Sequence, residues 1–462
     1  MESSKNTGSR IGAEPMGITS LNPSTQVITA KLKLHPTPEQ KLQIDKFFLA
    51  YRDGLNYTSN VAFANNKMSN ANKIQKIVYK DLRAKFGLSS QVSCSVCRQV
   101  SATYKGLWTK VKDNALKLKT GKAKRRYKGL DSAPKYISRT ATLNYPRDFG
   151  FKKDGMVSVQ SLEGRLTVRY TGYKKHLDYI TAGAQIGEAK YYYCKSSKQY
   201  YLLVSFHAPA PVVTADDIRK IKGVDLGQRN LSVTEDTGNK ISFFNGRSTL
   251  HKSNKYQIQR KSLQKKGTRS ATRKLVSLSG RERRFKADVN HCMTKQIVEK
   301  DIIIGMEELT GIRENTAHKR RRGKRASEKQ RRANANYSKW AFAETQNFVA
   351  YKSNLVGAVF VKVDADYTSQ ACKCGHTSKL NRPNGSVMFK CVKCGYNLHS
   401  DIVGTRNIKY RTILIWQDYL RTGVLVRTPN VSSNEAKAER LKRYSELRWS
   451  LDASSLALAV SI

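Results

Sequence analysis

The alternation of apolar and polar residues predicts a β framework in the first half of the chain. Residues 27–34 place four aliphatic side chains on one face and Thr and Lys on the other, as in a half-buried strand. Short strands of this kind, separated by turn residues, are predicted again at 156–161, 165–170, 190–194 and 200–206. Together they predict a small β-barrel.

A helical segment is predicted to interrupt this framework. The sequence Thr37-Pro38-Glu39-Gln40 supplies an N-cap, a Pro at the first helical position and a Gln at the third, which together start a helix. A second amphipathic stretch covers 92–108 and contains Cys94 and Cys97, which are predicted to pack in the core because no second cysteine pair is near. Residues 37–125 are therefore expected to be a helical insert.

The second half of the chain has a mixed α/β pattern. Strands are predicted at 221–226, 231–234, 302–306 and 358–363, with basic helices between them. The first 25 residues, rich in Ser, Gly, Asn and Thr, are typical of a loose leader, and the last 35 residues are typical of a disordered tail. The predicted fold class is multidomain α+β.

Three carboxylates stand at chemically unusual positions in this half. Asp225 and Glu307 each end a short apolar run, and Asp401 follows a cysteine cluster and opens a predicted helix. A single such acid is more often solvated or paired, but three can converge in a core only if cations neutralise them. Two divalent metals bridged by such acids form the site that hydrolyses phosphodiesters by in-line displacement. Glu308 competes with Glu307 as the second acid, and spacing leaves that choice open.

Four cysteines predict a structural zinc site. Cys372 and Cys374 form one pair and Cys391 and Cys394 the other, with sixteen residues between the pairs and a Gly just after each. The first pair is one residue tighter than the common spacing, so His376 is kept as an alternative ligand. Four ordinary buried cysteines are the less favoured interpretation.

The charge of the chain predicts a polyanionic partner. It carries 85 Lys+Arg against 35 Asp+Glu, a formal net charge of +50. The sequence shows no apolar run long enough to span a membrane and no signal peptide, and its cysteine usage fits a reducing interior, so a cytoplasmic, nucleoid-associated location is expected. No Gly-rich phosphate loop is found, which argues against ATP-driven unwinding.

Basic runs with adjacent aromatics predict where nucleic acid is contacted. Such a mixture suits phosphate tracking together with stacking on bases. The runs are Lys117–Lys128, Arg260–Arg284 and His318–Arg332, and the aromatics are Trp108, Tyr127, Phe285, Tyr337 and Trp340.

Several of these segments, taken together, closely resemble the TnpB family of transposon-encoded RNA-guided nucleases, which are related to type V CRISPR effectors. The resemblance spans roughly residues 27–410. The segments are Gly223-Val224-Asp225-Leu226-Gly227, Glu307-Glu308-Leu309-Thr310-Gly311-Ile312-Arg313, Tyr367-Thr368-Ser369-Gln370, Phe389-Lys390-Cys391-Val392-Lys393-Cys394-Gly395-Tyr396, and Asp401 with Arg406-Asn407-Ile408.

The resemblance implies a domain order. It implies a wedge β-barrel domain split by a helical recognition domain, then a RuvC-type RNase H-like domain interrupted by a zinc knuckle. The corresponding ranges are 1–26 for the leader, 27–36 and 126–218 for the wedge, 37–125 for the recognition domain, 219–367 and 397–415 for the RuvC-like domain, 368–396 for the zinc insert and 416–462 for the tail.

The resemblance also implies the chemistry and the partners. It matches Glu307 rather than Glu308 to the family's glutamate, and it implies two Mg²⁺ held by Asp225, Glu307 and Asp401, one structural Zn²⁺, a guide RNA from the transposon end and double-stranded target DNA. A protein oligomer is not expected, and no HNH insert is apparent, so one site would cut both strands. The alternatives are a nuclease-inactive RNA-guided repressor, a guide-free structure-selective nuclease and a structural RNA-binding protein with a zinc ribbon.

Overall fold

Two compact units make up the described part of the chain. One comprises residues 27–208, and the other comprises the described residues before 27 together with those from Pro209 onward. The computed structural model describes residues 20–121, 123–195, 197–309, 327–328, 340–383, 387–429, 438–439, 442 and 444.

The first unit begins with the strand and the helical insert that the sequence predicts. Strand β1 (Thr25–His35) is followed by helices α1 (Pro38–Ala64), α2 (Ala71–Phe86) and α3 (Ser90–Lys119). Helix α1 starts with the predicted capping box, in which the Thr37 hydroxyl accepts from the Gln40 amide while the Gln40 side chain accepts from the Thr37 amide. Cys97 is fully buried in α3, which confirms its predicted role in packing, and Cys94 is partly buried.

A seven-stranded antiparallel sheet completes this unit. Its strand order is β2-β6-β7-β1-β5-β4-β3. The edge strands β2 and β3 are joined by a turn of four residues, in which the Asp148 amide donates to the Asn144 carbonyl (2.8 Å). So short a link draws the two edges together and curls the sheet into a nearly closed barrel, as predicted. The elements are β2 (Thr140–Asn144), β3 (Phe149–Lys152), β4 (Met156–Ser161), β5 (Gly164–Thr171), helix α4 (Lys174–Thr181), β6 (Gln185–Cys194) and β7 (Gln199–Pro209).

The second unit is built on a five-stranded mixed sheet. Its order is β10-β9-β8-β11-β12, in which β10, β9 and β8 run antiparallel and β8, β11 and β12 run parallel. A separate two-stranded hairpin precedes the last long helix. The elements are β8 (Lys220–Asp225), β9 (Asn230–Asp236), β10 (Ile241–Asn245), α5 (Arg247–Lys266), α6 (Arg269–Ile297), β11 (Ile302–Glu307), α7 (Phe342–Val356), β12 (Val359–Val363), the hairpin strands β13 (Met388–Lys390) and β14 (Asn397–His399), and α8 (Ser400–Thr422).

Both faces of this sheet are buried, which explains why its parallel strands are almost continuously apolar. Ile304 and Met306 of β11 pack in one core cluster with Met293 of α6, whereas Ile303 of the same strand packs in the other with Ile413 of α8. Alternate residues of one strand therefore pack on opposite faces of the sheet. The catalytic candidates at the strand ends sit on a rigid, doubly covered sheet.

The ends of this unit differ from the predicted domain limits. Leu21, placed in the leader, is buried in the core beside Val213, which was placed in the barrel domain. Helix α8 continues to Thr422, beyond the predicted end at 415, and the Arg427 carbonyl accepts from the Lys362 amide (2.8 Å). The segment up to this residue is therefore part of the α/β unit and not of a tail. Among the described residues, no helix is long and apolar enough to cross a membrane.

Candidate active site

Asp225 and Glu307 lie side by side at the carboxyl ends of two neighbouring parallel strands. Val224 of β8 is in register with Met306 of β11, so the two acids are the next residues on their strands. Each carboxylate follows a run of buried residues, and Asp225 is itself half-buried. The strand register thus brings together two acids that are far apart in sequence.

Asp401 reaches the same place from the first turn of helix α8. Gly223 lets this helix lie directly on β8, because a Cβ at that position would come within 2.5 Å of backbone atoms of Thr405 and Lys409. A Cβ added to Gly404 would lie 3.2 Å from Oδ2 of Asp225, so one turn of α8 passes right beside that carboxylate. The close helix–strand contact is what carries Asp401 toward the other two acids.

Burial dominates the electrostatics of Asp225 and Glu307. Burial first, and then the charges of Glu307 and Asp401, raise the pKa of Asp225 well above its ordinary value, while Arg382 opposes the shift. Burial also raises the pKa of Glu307, against a hydrogen bond from Thr368 that lowers it. This group of carboxylates is short of positive charge. An all-oxygen set of this kind fits a hard divalent cation such as Mg²⁺.

Glu308 is directed away from this cluster. Its carboxylate forms an ion pair with Lys362 (2.8 Å) on β12, and its amide donates to the Val363 carbonyl (2.7 Å). Glu307, by contrast, accepts a hydrogen bond from the Thr368 hydroxyl and acts electrostatically on Asp225. The geometry therefore groups Glu307, and not its neighbour, with Asp225 and Asp401.

Sequence reasoning missed several side chains that surround the acids. Asn230 donates to Oδ2 of Asp401 (3.0 Å), and the Arg382 guanidinium lies 3.7 Å from Oδ1 of the same residue. Thr368 belongs to the Tyr367–Gln370 segment of the family resemblance, which by itself implies no role for this residue. Arg382 lies between the two cysteine pairs, where nothing in the sequence distinguishes it from the other basic residues.

The four cysteines meet as predicted. Their sulfurs all lie within 4.8 Å of one another, with 3.6 Å between Cys372 and Cys394 and 3.7 Å between Cys374 and Cys391. The backbone amide of Tyr396 is the main cause that lowers the pKa of the Cys394 thiol to about 7. The group does not include His376, whose carbonyl accepts from the Cys372 amide instead. Four thiols so arranged could bind a structural metal ion.

The cysteine cluster is joined to helix α8 by buried charge. Arg406 donates to the hydroxyl of Tyr396 (2.9 Å) and to the carboxylate of Glu235 on β9. Glu235, only 1% exposed, also accepts from Lys409 (2.8 Å). Such a buried group of ion pairs strongly favours one relative position of its elements, because breaking any pair would leave a charge uncompensated.

The predicted nucleic-acid surfaces have mixed outcomes. The run Arg260–Arg284 lies on the helical pair α5 and α6, where most basic side chains are exposed. Trp340, however, is buried in the sheet core at 6% exposure, beside residues of α5, so its predicted stacking role is wrong. Phe285 is partly buried and covered by the Lys252 ammonium (4.2 Å). The run His318–Arg332, except residues 327–328, and Tyr337 lie outside the described residues.

Comparison with known proteins relates part of the sequence and the overall fold of this chain to Cas12 proteins. Residues 342–408 match the family described as Cas12f1-like, TNB domain. Two structures resemble the chain in fold: a Cas12f1–sgRNA–target DNA complex (TM-score 0.51, 14% identity, 84% of this chain and 99% of that one) and CasPhi-2 (Cas12j) bound to crRNA (TM-score 0.50, 10% identity, 85% and 98%). They support the mixed α/β fold with its nearly closed barrel.

Two curated relatives resemble the chain in sequence, and the second shows its family. The CRISPR-associated endodeoxyribonuclease Cas12f1 of Sulfoacidibacillus thermotolerans is 26% identical over 295 residues, which cover 59% of this chain and 63% of that protein, so the match spans less than two thirds of the relative. The TnpB-like protein MJ0751 of Methanocaldococcus jannaschii is 30% identical over 212 residues, 43% of this chain and 70% of that protein. With a relative of this identity matched over most of its length, the chain belongs to the TnpB family.

Proposed function

We propose that this protein is an RNA-guided DNA endonuclease of a transposon system, which cuts target DNA beside a short target-adjacent motif. The observation that carries the proposal is the meeting of Asp225, Glu307 and Asp401 at one end of a buried sheet, with too little positive charge to balance them. A binding protein has no need of such a cluster, whereas a metal-dependent phosphodiesterase cannot work without one.

The sheet supports a RuvC-type, RNase H-like assignment for 219–367 and 397–415. In this sheet β10, β9 and β8 are antiparallel, and β11 and β12 run parallel to β8. The first two acids lie on the adjacent strands β8 and β11, and the covering helix α8 supplies the third. The ranges 27–36 with 126–218 and 37–125 would then be the wedge and recognition domains.

Asp225, Glu307 and Asp401 would hold two Mg²⁺. When bound, these ions supply activation of the attacking water and stabilisation of the leaving oxygen. Asn230 donates a hydrogen bond to the Asp401 carboxylate, and Thr368 donates one to the carboxylate of Glu307. Arg382, close to Asp401, is placed to attract a phosphate group to the same end of the sheet.

Cys372, Cys374, Cys391 and Cys394 would hold one Zn²⁺ in the insert 368–396. The hairpin strand β14 leads from this cluster straight into α8, so a closed metal site would fix the chain just before Asp401. The role of the zinc would be structural.

A net charge of +50 is too large for a single DNA footprint and supports two nucleic-acid partners. These would be a guide RNA from the transposon end and double-stranded target DNA, with sequence read by base pairing and the protein reading only a short duplex motif. The protein would act in the cytoplasm, at the nucleoid, as a single copy.

The decisive experiment begins with the RNA that co-purifies with the protein. That RNA is sequenced, its guide segment is replaced, and the reconstituted complex is offered plasmids with matching and non-matching targets. We expect cleavage to move to the new matching target beside the same short motif. Cleavage of one fixed sequence or junction by RNA-free protein would establish a guide-free nuclease, and guided binding without cleavage would establish a repressor.

A further inference from the structure

The segment Tyr367–Gln370 forms a tight turn between β12 and the first cysteine pair. Tyr367 adopts a left-handed backbone conformation (φ +61°), and its carbonyl accepts from the amides of Gln370 (2.9 Å) and Ala371 (3.0 Å). A non-glycine residue with positive φ is held there only when its surroundings demand it. The shape of the turn is therefore strongly specified.

This turn presents one hydroxyl to the acid cluster. Thr368, 4% exposed, donates through Oγ1 to Oε1 of Glu307, and the next acceptor, the carbonyl of Ala365, is farther away at 3.3 Å. The main chain of Glu307 is held as well, since Gln346 donates to its carbonyl (2.6 Å). A charged acceptor makes the hydroxyl contact strong, and the contact restricts rotation of the carboxylate.

Helix α8 holds the turn from below through two side chains. Asn407 donates to the carbonyls of Thr368 (2.7 Å) and Ala371 (2.9 Å). Arg411, 4% exposed, donates to the carbonyls of Asp364 and Asp366, the latter at 2.8 Å. Four carbonyls of one short segment are thus bound by the same helix that carries Asp401.

We propose that residues 364–371 are a positioning element, through which helix α8 fixes the orientation of the Glu307 carboxylate relative to Asp401. Thr368 is the positioning residue, and Asn407 and Arg411 anchor it. The inference rests on the proposed function, because it assumes that Glu307 is a metal ligand. A donor that orients a ligating carboxylate contributes to metal affinity although it never touches the ion.

The test replaces the hydroxyl without changing the shape of the side chain. Mn²⁺ binding is measured by calorimetric titration of the full chain, and cleavage is measured against metal concentration. We expect Thr368→Val to weaken Mn²⁺ binding by about 10-fold or more, the range seen for groups that orient metal ligands, and to raise the metal concentration for half-maximal cleavage equally. Thr368→Ser, which keeps the hydroxyl, should restore both values to near wild type.

The matched control is Thr412→Val. It removes a hydroxyl that is equally buried on α8 but donates only to the Ile408 carbonyl, and it should leave Mn²⁺ binding unchanged. Thermal unfolding in chelator checks that each variant folds. If Thr368→Val does not fold, Asn407→Ala, which frees the turn without touching Glu307, must show the same loss of affinity.

Two negative outcomes are distinguishable. Wild-type Mn²⁺ affinity in both Thr368→Val and Asn407→Ala, with cleavage intact, would overturn the positioning role and leave the nuclease assignment standing. Equal Mn²⁺ titrations of the wild type and Asp225→Ala would overturn the proposed metal site itself, and this inference with it.

Discussion

The cysteine cluster and the acid cluster of the α/β unit are both convergent ligand sets, but they are assembled in opposite ways. The four thiols come from one insert, with Cys372 and Cys394 only 22 positions apart, and their sulfurs lie within 4.8 Å of one another. The acids come from β8, β11 and α8, and the described chain forms no equally tight group of carboxylates.

The difference lies in charge. Burial raises the pKa of Cys372 and so favours its neutral thiol, which packs closely without repulsion, whereas the pKa of Cys394 is lowered to about 7. Carboxylates near neutral pH repel one another, and the raised pKa of Asp225 reflects that repulsion together with burial. The cysteines are brought together by local sequence, whereas the acids are brought together by the fold, against their mutual repulsion.

The largest expected effect comes from removing an acid. Asp225→Ala, Glu307→Ala or Asp401→Ala should each lower cleavage by about 10³-fold or more, because a lost metal ligand forfeits several kcal/mol of transition-state stabilisation. Binding of target DNA, measured by mobility shift, should stay close to wild type. Glu308→Ala is the matched control, since it removes only the ion pair to Lys362 and should cut normally. An inactive Glu308→Ala beside an active Glu307→Ala would reverse the assignment.

Removal of one thiol should act more indirectly. Cys391→Ser is expected to lose about one equivalent of zinc, to unfold at lower temperature and to cut more slowly, on the order of 10–100-fold, because Asp401 is then poorly oriented. Elemental analysis and cleavage rates measure the two effects. Cys292→Ser, at an exposed cysteine outside the cluster, should keep its metal. Full activity in a zinc-free preparation supplied with Mg²⁺ would contradict the structural role.

Asp225→Asn should stabilise the metal-free protein while it abolishes cleavage. The raised pKa means that the native state binds more protons than the unfolded state, so stability is lost as pH rises above 3.8, the ordinary pKa of this carboxyl. The variant should therefore unfold at a higher temperature than the wild type in chelator at pH 7 to 8. The unfolding temperature should rise by about 2–4 °C for each kcal/mol gained in the free energy of unfolding, and the difference should disappear as the pH falls toward about 4.

The control for this stabilisation is Asp216→Asn, which changes an exposed acid of the same unit and should not shift the transition. Added Mg²⁺ should raise the unfolding temperature of the wild type more than that of Asp225→Asn. Equal unfolding temperatures of the two proteins in chelator at pH 8 would mean that the acids are not strained by their proximity.

The smallest effect is expected at His376. The imidazole is not part of the ligand group, so His376→Ala should retain full zinc content and near-normal cleavage. Loss of zinc in this variant, with zinc retained in Cys374→Ser, would show that the fourth ligand is the His376 imidazole and not the Cys374 thiol.

The main strands and helices were predictable because their signals are local. Alternation marked β1, β4 and β5, and the Thr37 capping box marked the start of α1, all within a residue or two of the observed limits. Strands β2, β3 and β10 and the hairpin strands β13 and β14 were missed, the last two because three residues are too few to show a period. The continuation of α8 beyond 415 was also missed, since it depends on packing against the sheet.

The candidate ligands were predictable from strand ends and cysteine spacing, but their partners were not. Arg382 and Asn230 reach Asp401 through tertiary structure alone, and no sequence pattern distinguishes them from the other polar residues of the chain. Trp340 was assigned the wrong role for the same reason. An aromatic residue beside a basic run is compatible both with stacking on bases and with burial in the core, where Trp340 lies. Side-chain direction is decided by contacts that are distant in sequence.

The placement of Asp401 on α8 has a consequence for synthesis. Ribosomes add about 5–20 residues per second, so this helix emerges roughly 10–35 seconds after Asp225 has been made. Until then one face of the sheet lacks its cover, and the third acid does not yet exist. On the proposed function, a nascent chain long enough to expose its basic helices would bind nucleic acid before it could cut any. The order of the elements along the chain would then delay cleavage until the α/β unit is nearly folded.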